Sequence, residues 1–395
     1  MSTLFQPGKI GPMEMKNRFV HSAAYESMAQ KSGEVTDPLV ERYRNLARGD
    51  VGLIIPGYMF VHPLGRAAGH QVGIHDDRMI LGLQRLAEAV HHEGGKIVFQ
   101  MVHAGRQTMK ALIGDTPMAP SSKGRDQIFM VKPREMNEKD ISDVIRAFGD
   151  AARRAVKSGA DGVQIHAAHG YLINQFLSPF FNERRDQWGG TEANRFRILR
   201  EIIGAVKENV SRETAVMLKM NVNDYTPRAG ITPPIAANYA EWLDTEGIDG
   251  LELSCGTLSY SIFNMVRGEV PVAELVSGFP WWRKLLGKPM LGRLKGKYDL
   301  QEGYNLDAAR TIKPRLKRTA LLVVGGFRKK EHMEQIIDQG TADFISMCRP
   351  FIREPFFVQR LKRGKTDSAS CISCNRCFAA VANDMPLRCY VDGFL

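Results

Sequence analysis

Two histidines and a tyrosine, in His166-Ala-Ala-His169-Gly-Tyr171, form the densest set of chemically able side chains in this 395-residue sequence. Imidazoles three residues apart can polarise one oxygen together, and a phenol two residues further on can deliver a proton. The same pair could instead be buried, hydrogen-bonded histidines with a structural role. A zinc site is a third option, although no nearby carboxylate or further histidine completes a ligand set. A second group is Gly325-Gly326 with Cys348-Arg349. Glycines let backbone N–H groups approach a phosphate closely, and an arginine can grip it with two donors. A tight turn and a surface arginine are the plain alternative. A third group is Cys371-x2-Cys374-x2-Cys377-x11-Cys389, crowded into the last 25 residues, while Cys255 and Cys348 stand alone. Such spacing points to metal or cluster ligation rather than to disulfides.

These groups need elements to hold them. Short apolar runs without polar alternation recur at Phe19–Ala23, Val51–Ile55, Lys96–Val102, Gly162–Ile165, Val216–Met220, Gly250–Leu253, Leu321–Val324 and Phe344–Met347. Runs of this kind suit strands buried on both faces of a parallel sheet. Amphipathic stretches with legible ends lie between them. Asn137 should cap a helix that ends near Gly159, and Thr232 should cap one that begins at Pro233 and closes at Gly247. A third, Glu331–Gln339, should end at Gly340. Eight strand–helix repeats predict a single α/β (β/α)8 barrel over residues 1–360, with a cysteine-rich tail over 361–395. A doubly wound sheet shares the alternation, but no G-x-G-x-x-G follows the first strand. The histidine pair then falls at the C-terminal end of strand four, and the glycine and arginine groups follow strands seven and eight, where barrels build active and phosphate sites. Two spacers exceed what a repeat needs: residues 103–136 after strand three, and 255–305 after strand six, the latter with Trp281, Trp282 and a basic run. Long insertions of this kind decorate the catalytic face.

Composition narrows the class. Hydrophobic residues make up 44% and charged residues 25%, which excludes a disordered or collagen-like chain. No apolar stretch approaches the roughly 18 residues that span a bilayer, and the N-terminus lacks a signal-peptide pattern, so a cytoplasmic protein without a membrane partner is expected. The net charge of +11 is compatible with an anionic partner or with a merely solvated basic surface. No interleaving of basic and aromatic residues suggests nucleic acid.

The segment HAAHGYLINQFLSPFFNERRDQWGGTEANRFR resembles the signature stretch of the old yellow enzyme family of flavoproteins. So do LFQPGKIGPMEMKNRFV, FQMVHAGRQ, and VVGGF with the surroundings of Arg349, covering roughly residues 4–360 in the family's order. The resemblance implies an FMN-containing barrel that moves hydride from NADH or NADPH to an activated alkene. It places Ser22, Ala23, Ala24 and Tyr25 against the flavin, Gln100 at its pyrimidine edge, and Lys219 where a cation, often arginine, sits beside flavin N1. Gly325, Gly326, Cys348 and Arg349 match phosphate-binding positions. His166 and His169 match the pair that binds the substrate's oxygen, and Tyr171 the proton donor. Tyr25 departs from the threonine, cysteine or histidine of relatives, and should narrow the pocket unless it merely packs.

The tail resembles the cluster-binding element of 2,4-dienoyl-CoA reductase and trimethylamine dehydrogenase, so Cys371, Cys374, Cys377 and Cys389 would hold a [4Fe-4S] cluster, a structural zinc, or nothing. The sequence ends six residues after Cys389, without the second nucleotide-binding domain that gives the cluster its role in those enzymes. The expected partner is a small molecule, an enone or an enoyl or dienoyl thioester of coenzyme A. The six basic residues of Arg283–Lys297 could hold such an anionic carrier, or form a solvated loop. An amine dehydrogenase is the alternative activity, although Tyr25 stands where trimethylamine dehydrogenase attaches its flavin to cysteine. A non-catalytic scaffold fits poorly with an intact His/His/Tyr set, and pairing of barrels into a homo-oligomer stays open.

Overall fold

The computed structural model describes residues 2–393. Eight parallel strands form a closed barrel: β1 (Phe19–His21), β2 (Leu53–Ile54), β3 (Lys96–Val102), β4 (Gly162–Ala167), β5 (Ala215–Asn221), β6 (Gly250–Ser254), β7 (Ala320–Val324) and β8 (Phe344–Met347). Each pairs with the next, and β8 returns to β1 through Ile345 opposite Phe19. A helix follows every strand: α1 (Asp37–Arg48), α2 (Ile80–His91), α3 (Glu138–Lys157), α4 (Glu192–Glu208), α5 (Pro233–Thr245), α6 (Leu306–Ile312), α7 (Lys330–Asp338) and α8 (Phe357–Lys362). The barrel expected from the apolar runs is therefore present. The strands β1 and β2 are shorter than their runs, although Ser22 and Ile55 each make one further ladder bond, to the Met347 and His21 carbonyls.

Local signals explain the helix ends. Asn137 caps α3 in a reciprocal box with Asp140. Thr232 precedes α5, but its side chain makes no capping bond. Pro233 and Pro234 start that helix and remove the N–H that a cap would otherwise satisfy. Register at the N-terminal face is pinned by a repeated device. Asp161, Asp249 and Asp343 stand just before β4, β6 and β8, and each accepts a backbone N–H where the preceding strand starts, from Ile97, Val216 and Leu321 respectively.

The core has two parts. One lies between strands and helices, with Ile165, Leu218, Leu251 and Val323 facing α-helical side chains such as Phe148, Phe196 and Leu243. The other fills the N-terminal half of the barrel lumen with Val20, Leu53, Ile55, Val98, Met217, Leu322 and Phe344. A hairpin of Gly8–Ile10 and Met13–Met15 closes that end, sending Ile10, Met13 and Met15 into the same cluster. The tail crosses the outside of the barrel, with one short helix at Arg376–Ala382. Its Arg376 pairs with Glu274 at 3.0 Å, and Asn375 donates to the Val266 and Glu269 carbonyls, so it packs on the insertion after β6. Among the described residues no helix is long and apolar enough to cross a membrane.

Candidate active site

Toward the C-terminal end the lumen changes from apolar to polar. Strand register places Gln100 beside Gln164, and His166, Lys219 and Glu252 side by side on β4, β5 and β6. Side chains two residues apart on a strand share a face, so these residues and Asn221 and Ser254 above them point the same way. Gln100 donates to Gln164 at 2.6 Å, and Gln164 donates to Glu252 at 3.0 Å. Lys219 Nζ lies 3.3 Å from Glu252 and donates to Ser22 Oγ at 2.8 Å. Lys219 is 2% exposed and Glu252 fully buried, so each charge is tolerable only because of the other. Glu252 Oε1 and Ser346 Oγ have no partner among the described residues, which leaves the layer partly unsatisfied.

Above this layer the rings gather. His166 and His169 lie 5.0 Å apart, edge to face, and Tyr171 is 5.0 Å from His166. Burial first, then the neighbouring cations, hold both imidazoles well below the usual histidine range, and burial pushes the Tyr171 phenol up to about 12. Both imidazoles are therefore neutral and the phenol protonated at neutral pH. His166 Nδ1 accepts from the Ala168 N–H, which puts its proton on Nε2. His169 Nε2 lies 2.7 Å from Ser254 Oγ.

The turn carrying these rings is over-determined. His169 and Gly170 both have positive φ, 63° and 80°, a conformation that strains histidine. Its N–H donates to Asn221 Oδ1, and its carbonyl accepts from Leu258 N and Gln107 Nε2, one from each long insertion. Asp224 accepts from Asn221, Asn174 and the Ile231 N–H, and Asn174 Oδ1 in turn takes the Gly170 N–H. Asp224 is fully buried, and burial pulls its carboxyl up despite these donors.

One member of the site, Tyr58, had no motif to mark it, and it packs against the expected Tyr25. Tyr58 precedes a short strand, Met59–Phe60, that pairs with the end of β3, and its ring lies 5.2 Å from Tyr171 and 6.0 Å from His166. Its hydroxyl bonds Tyr171 and opposes the upward shift there. Tyr25 stacks on Tyr58 at 6.0 Å and accepts from the His70 N–H at 3.3 Å, so it forms an aromatic wall of the mouth. Ala23 and Ala24 lie half-buried between Ser22 and that wall.

Gly325 and Gly326 follow β7, and Cys348 and Arg349 follow β8, as expected from their spacing. Gly326 has φ 73°, and a side chain there would strike Leu300, where the end of the long insertion folds over it. Arg349 spends Nη1 on the Arg267 carbonyl and on Asn375 Oδ1, leaving its other nitrogens without a partner among the described residues. Burial pushes the Cys348 thiol up, with Arg349 opposing.

The four tail cysteines behave differently. All are free and half-buried. Arg328 donates to the Cys371 carbonyl at 2.9 Å and reaches its Sγ at 3.6 Å, while Arg353 reaches Cys389 Sγ at 3.6 Å. Among the described residues no three of the His, Cys, Asp or Glu side chains are arranged to hold a metal ion. This arrangement shows no site for the expected cluster or zinc among the described residues, and burial, with the Cys348, Cys371 and Cys374 thiols nearby, pushes the Cys377 thiol up to about 12.

The barrel mouth does fit FMN. Its donor set of a buried ammonium, an amide that both donates and accepts, and a hydroxyl suits a flat ring whose edge alternates acceptors and N–H groups. The unpartnered Ser346 and Glu252 atoms mark where such a ring would complete the layer. Comparison with known proteins agrees. A model of the NADH:flavin oxidoreductase / NADH oxidase family matches residues 3–260 and 299–368. The 4,4'-dithiodibutanoate disulfide reductase of Rhodococcus erythropolis is 31% identical, over 96% of this chain and 93% of its own length. The NADH oxidase of Thermoanaerobacter brockii is 32% identical over 98% of this chain, which spans only 56% of that enzyme. A solved 2-naphthoyl-CoA reductase complexed with 2-naphthoyl-CoA superposes with a TM-score of 0.84 at 25% identity, covering 98% of this chain and 56% of the other. The chain belongs to the NADH:flavin oxidoreductase / NADH oxidase family, the old yellow enzyme family of its motifs, and is an oxidoreductase that uses flavin and a reduced nicotinamide.

Proposed function

We propose that the protein reduces the carbon–carbon double bond of an α,β-unsaturated carbonyl compound, an enone or an enoyl-type thioester, at the expense of NADH or NADPH. The observation that supports this most is the convergence of two neutral imidazoles and a protonated phenol over one buried polar layer. Lys219, Gln100, Ser22, Ala23, Ala24 and Tyr25 would hold the FMN ring, and Gly325, Gly326, Cys348 and Arg349 its phosphate. Bound there, FMN would supply the hydride chemistry that side chains lack, linking the nicotinamide to the substrate's β-carbon.

The side chains do the rest. His166 presents Nε2–H, and His169, whose Nε2 pairs with Ser254 Oγ, would present Nδ1–H with Ser254 as the donor. Both donate to the substrate's carbonyl oxygen and strengthen as negative charge builds there, the interaction that contributes most in such reactions. Tyr171 gives its proton to the α-carbon. Together with hydride at the β-carbon this adds one molecule of hydrogen across the double bond, and the phenolate regains its proton from solvent. Tyr58 stabilises that phenolate through its hydroxyl. A thioester substrate is consistent with the 2-naphthoyl-CoA bound in the structural relative.

Tyr171→Phe tests the assignment. Anaerobic bleaching of the flavin by NADPH should persist, while enone reduction falls about 10²- to 10⁴-fold, the range for loss of a general acid. An unchanged enone rate would remove Tyr171 from the mechanism. Bleaching by an amine, with no enone turnover in the parent enzyme, would replace alkene reduction with amine oxidation.

A further inference from the structure

The insertion after β6 carries a helix, Trp281–Gly292, that the family model leaves out: its two matched blocks stop at 260 and resume at 299. This stretch is not the solvated loop that its charge suggested. Gly287 is its one buried residue and packs on the Val276 side chain, so a missing side chain sets the rotation of the helix. Two rows at i, i+4, i+8 then face outward: Trp281, Leu285 and Pro289, and beside them Trp282, Leu286 and Met290. Trp281 is 74% exposed, Leu286 73%, Leu285 65% and Met290 64%. Soluble surfaces seldom present an unbroken apolar face of this kind.

Around that face the charge is of one sign. Arg283, Lys284, Lys288, Arg293, Lys295 and Lys297 are accompanied by no acidic residue between 281 and 297, and none is ion-paired among the described residues. We infer that the outer face of the Trp281–Gly292 helix docks the protein on an anionic lipid surface. A convex apolar ridge edged with cations needs no preformed complement on a fluid bilayer: the apolar rows enter the headgroup boundary, the two indoles sit at the interface, and the long basic side chains reach back to acidic headgroups. A second copy of the chain would set six cations against six, which opposes symmetric pairing through this face. The expectation of no membrane partner concerned spanning segments, and docking on a surface requires none.

The test uses the FMN-loaded full chain with phosphatidylcholine vesicles, with and without phosphatidylglycerol. Co-sedimentation should require the acidic lipid and fall with salt. Tryptophan emission should shift to the blue on binding, because Trp188 is buried and Trp242 half-buried against the core, while Trp281 and Trp282 are exposed on the docking face. Lys288→Glu and Arg293→Glu should each weaken partition at least about fivefold, the effect of losing one basic residue at such a surface. Trp281→Glu with Leu285→Glu should abolish it while flavin absorbance and circular dichroism are retained. Absence of binding, or binding indifferent to lipid charge or to the Trp281/Leu285 pair, overturns the proposal. A dimer in light scattering that the same pair dissolves, without vesicle binding, would instead assign the face to a second copy.

Discussion

The molecule carries two clusters of groups able to act as ligands or acids, and it treats them in opposite ways. His166, His169 and Tyr171 ride on the end of a barrel strand, and their turn is held by both long insertions and by the Asn221–Asp224–Asn174 chain. Cys371, Cys374, Cys377 and Cys389 ride on a tail in which Cys371 and Cys389 lie 3.6 Å from arginines and the four form no ligand set among the described residues. Spacing in sequence marked both as candidates. What separates them is the backing. Strand register and buried hydrogen bonds fix the directions of the first set, whereas the hydrogen bonds of the tail hold Ser373 and Asn375 between its cysteines more than the thiols themselves.

The comparison is broken most severely by Asp224→Ala, which strips one acceptor from two buried amides and a backbone N–H. We expect a loss of about 3 kcal/mol in denaturant unfolding and at least a tenfold fall in enone turnover, about 1.4 kcal/mol; full turnover would show that the chain does not hold the imidazoles. Acid comes next. Burial depresses the His21 and His103 values to about 3 and holds His166 and His169 well below the ordinary range. Because the folded values lie below the unfolded one, the unfolded chain takes up protons first. Stability is then full above about pH 6.5 and falls as pH drops toward about 3, by roughly 1.4 kcal/mol per pH unit for each histidine. Thermal midpoints measured across that window check this, and a flat profile would refute the burial. Ser254→Ala should lower kcat/KM for enones about fivefold to tenfold, the worth of one orienting hydrogen bond, with flavin bleaching unchanged. Smallest of all, replacing the four tail cysteines by serine should change turnover by less than about twofold. Stoichiometric iron and sulfide in the parent protein, with collapse of turnover in that variant, would erase the distinction between the clusters.

Much of this was legible in the residues. The apolar runs located all eight strands, because each is buried on both faces, and the position of HAAHGY after the fourth put the imidazoles at the mouth. Glu252 escaped notice, although its signal was present: a carboxylate inside the run GLELS answers a lysine inside VMLKM, each intolerable alone. Tyr58 and Asp224 lie in loops, and loops carry no period from which to read a direction. Tyr25 was singled out as a departure, but its stacking on Tyr58 depends on the path of the chain between β1 and β2. The outward face of the Trp281–Gly292 helix was hidden for another reason, since its orientation rests on a single glycine meeting Val276.

The hairpin of Gly8–Ile10 and Met13–Met15 turns the barrel into a vessel stoppered at its base. On the proposed function, reductant and oxidant would share the open mouth and take turns in it. Initial-rate plots for the two reactants should then run parallel, and each in excess should inhibit by occupying the entrance out of turn.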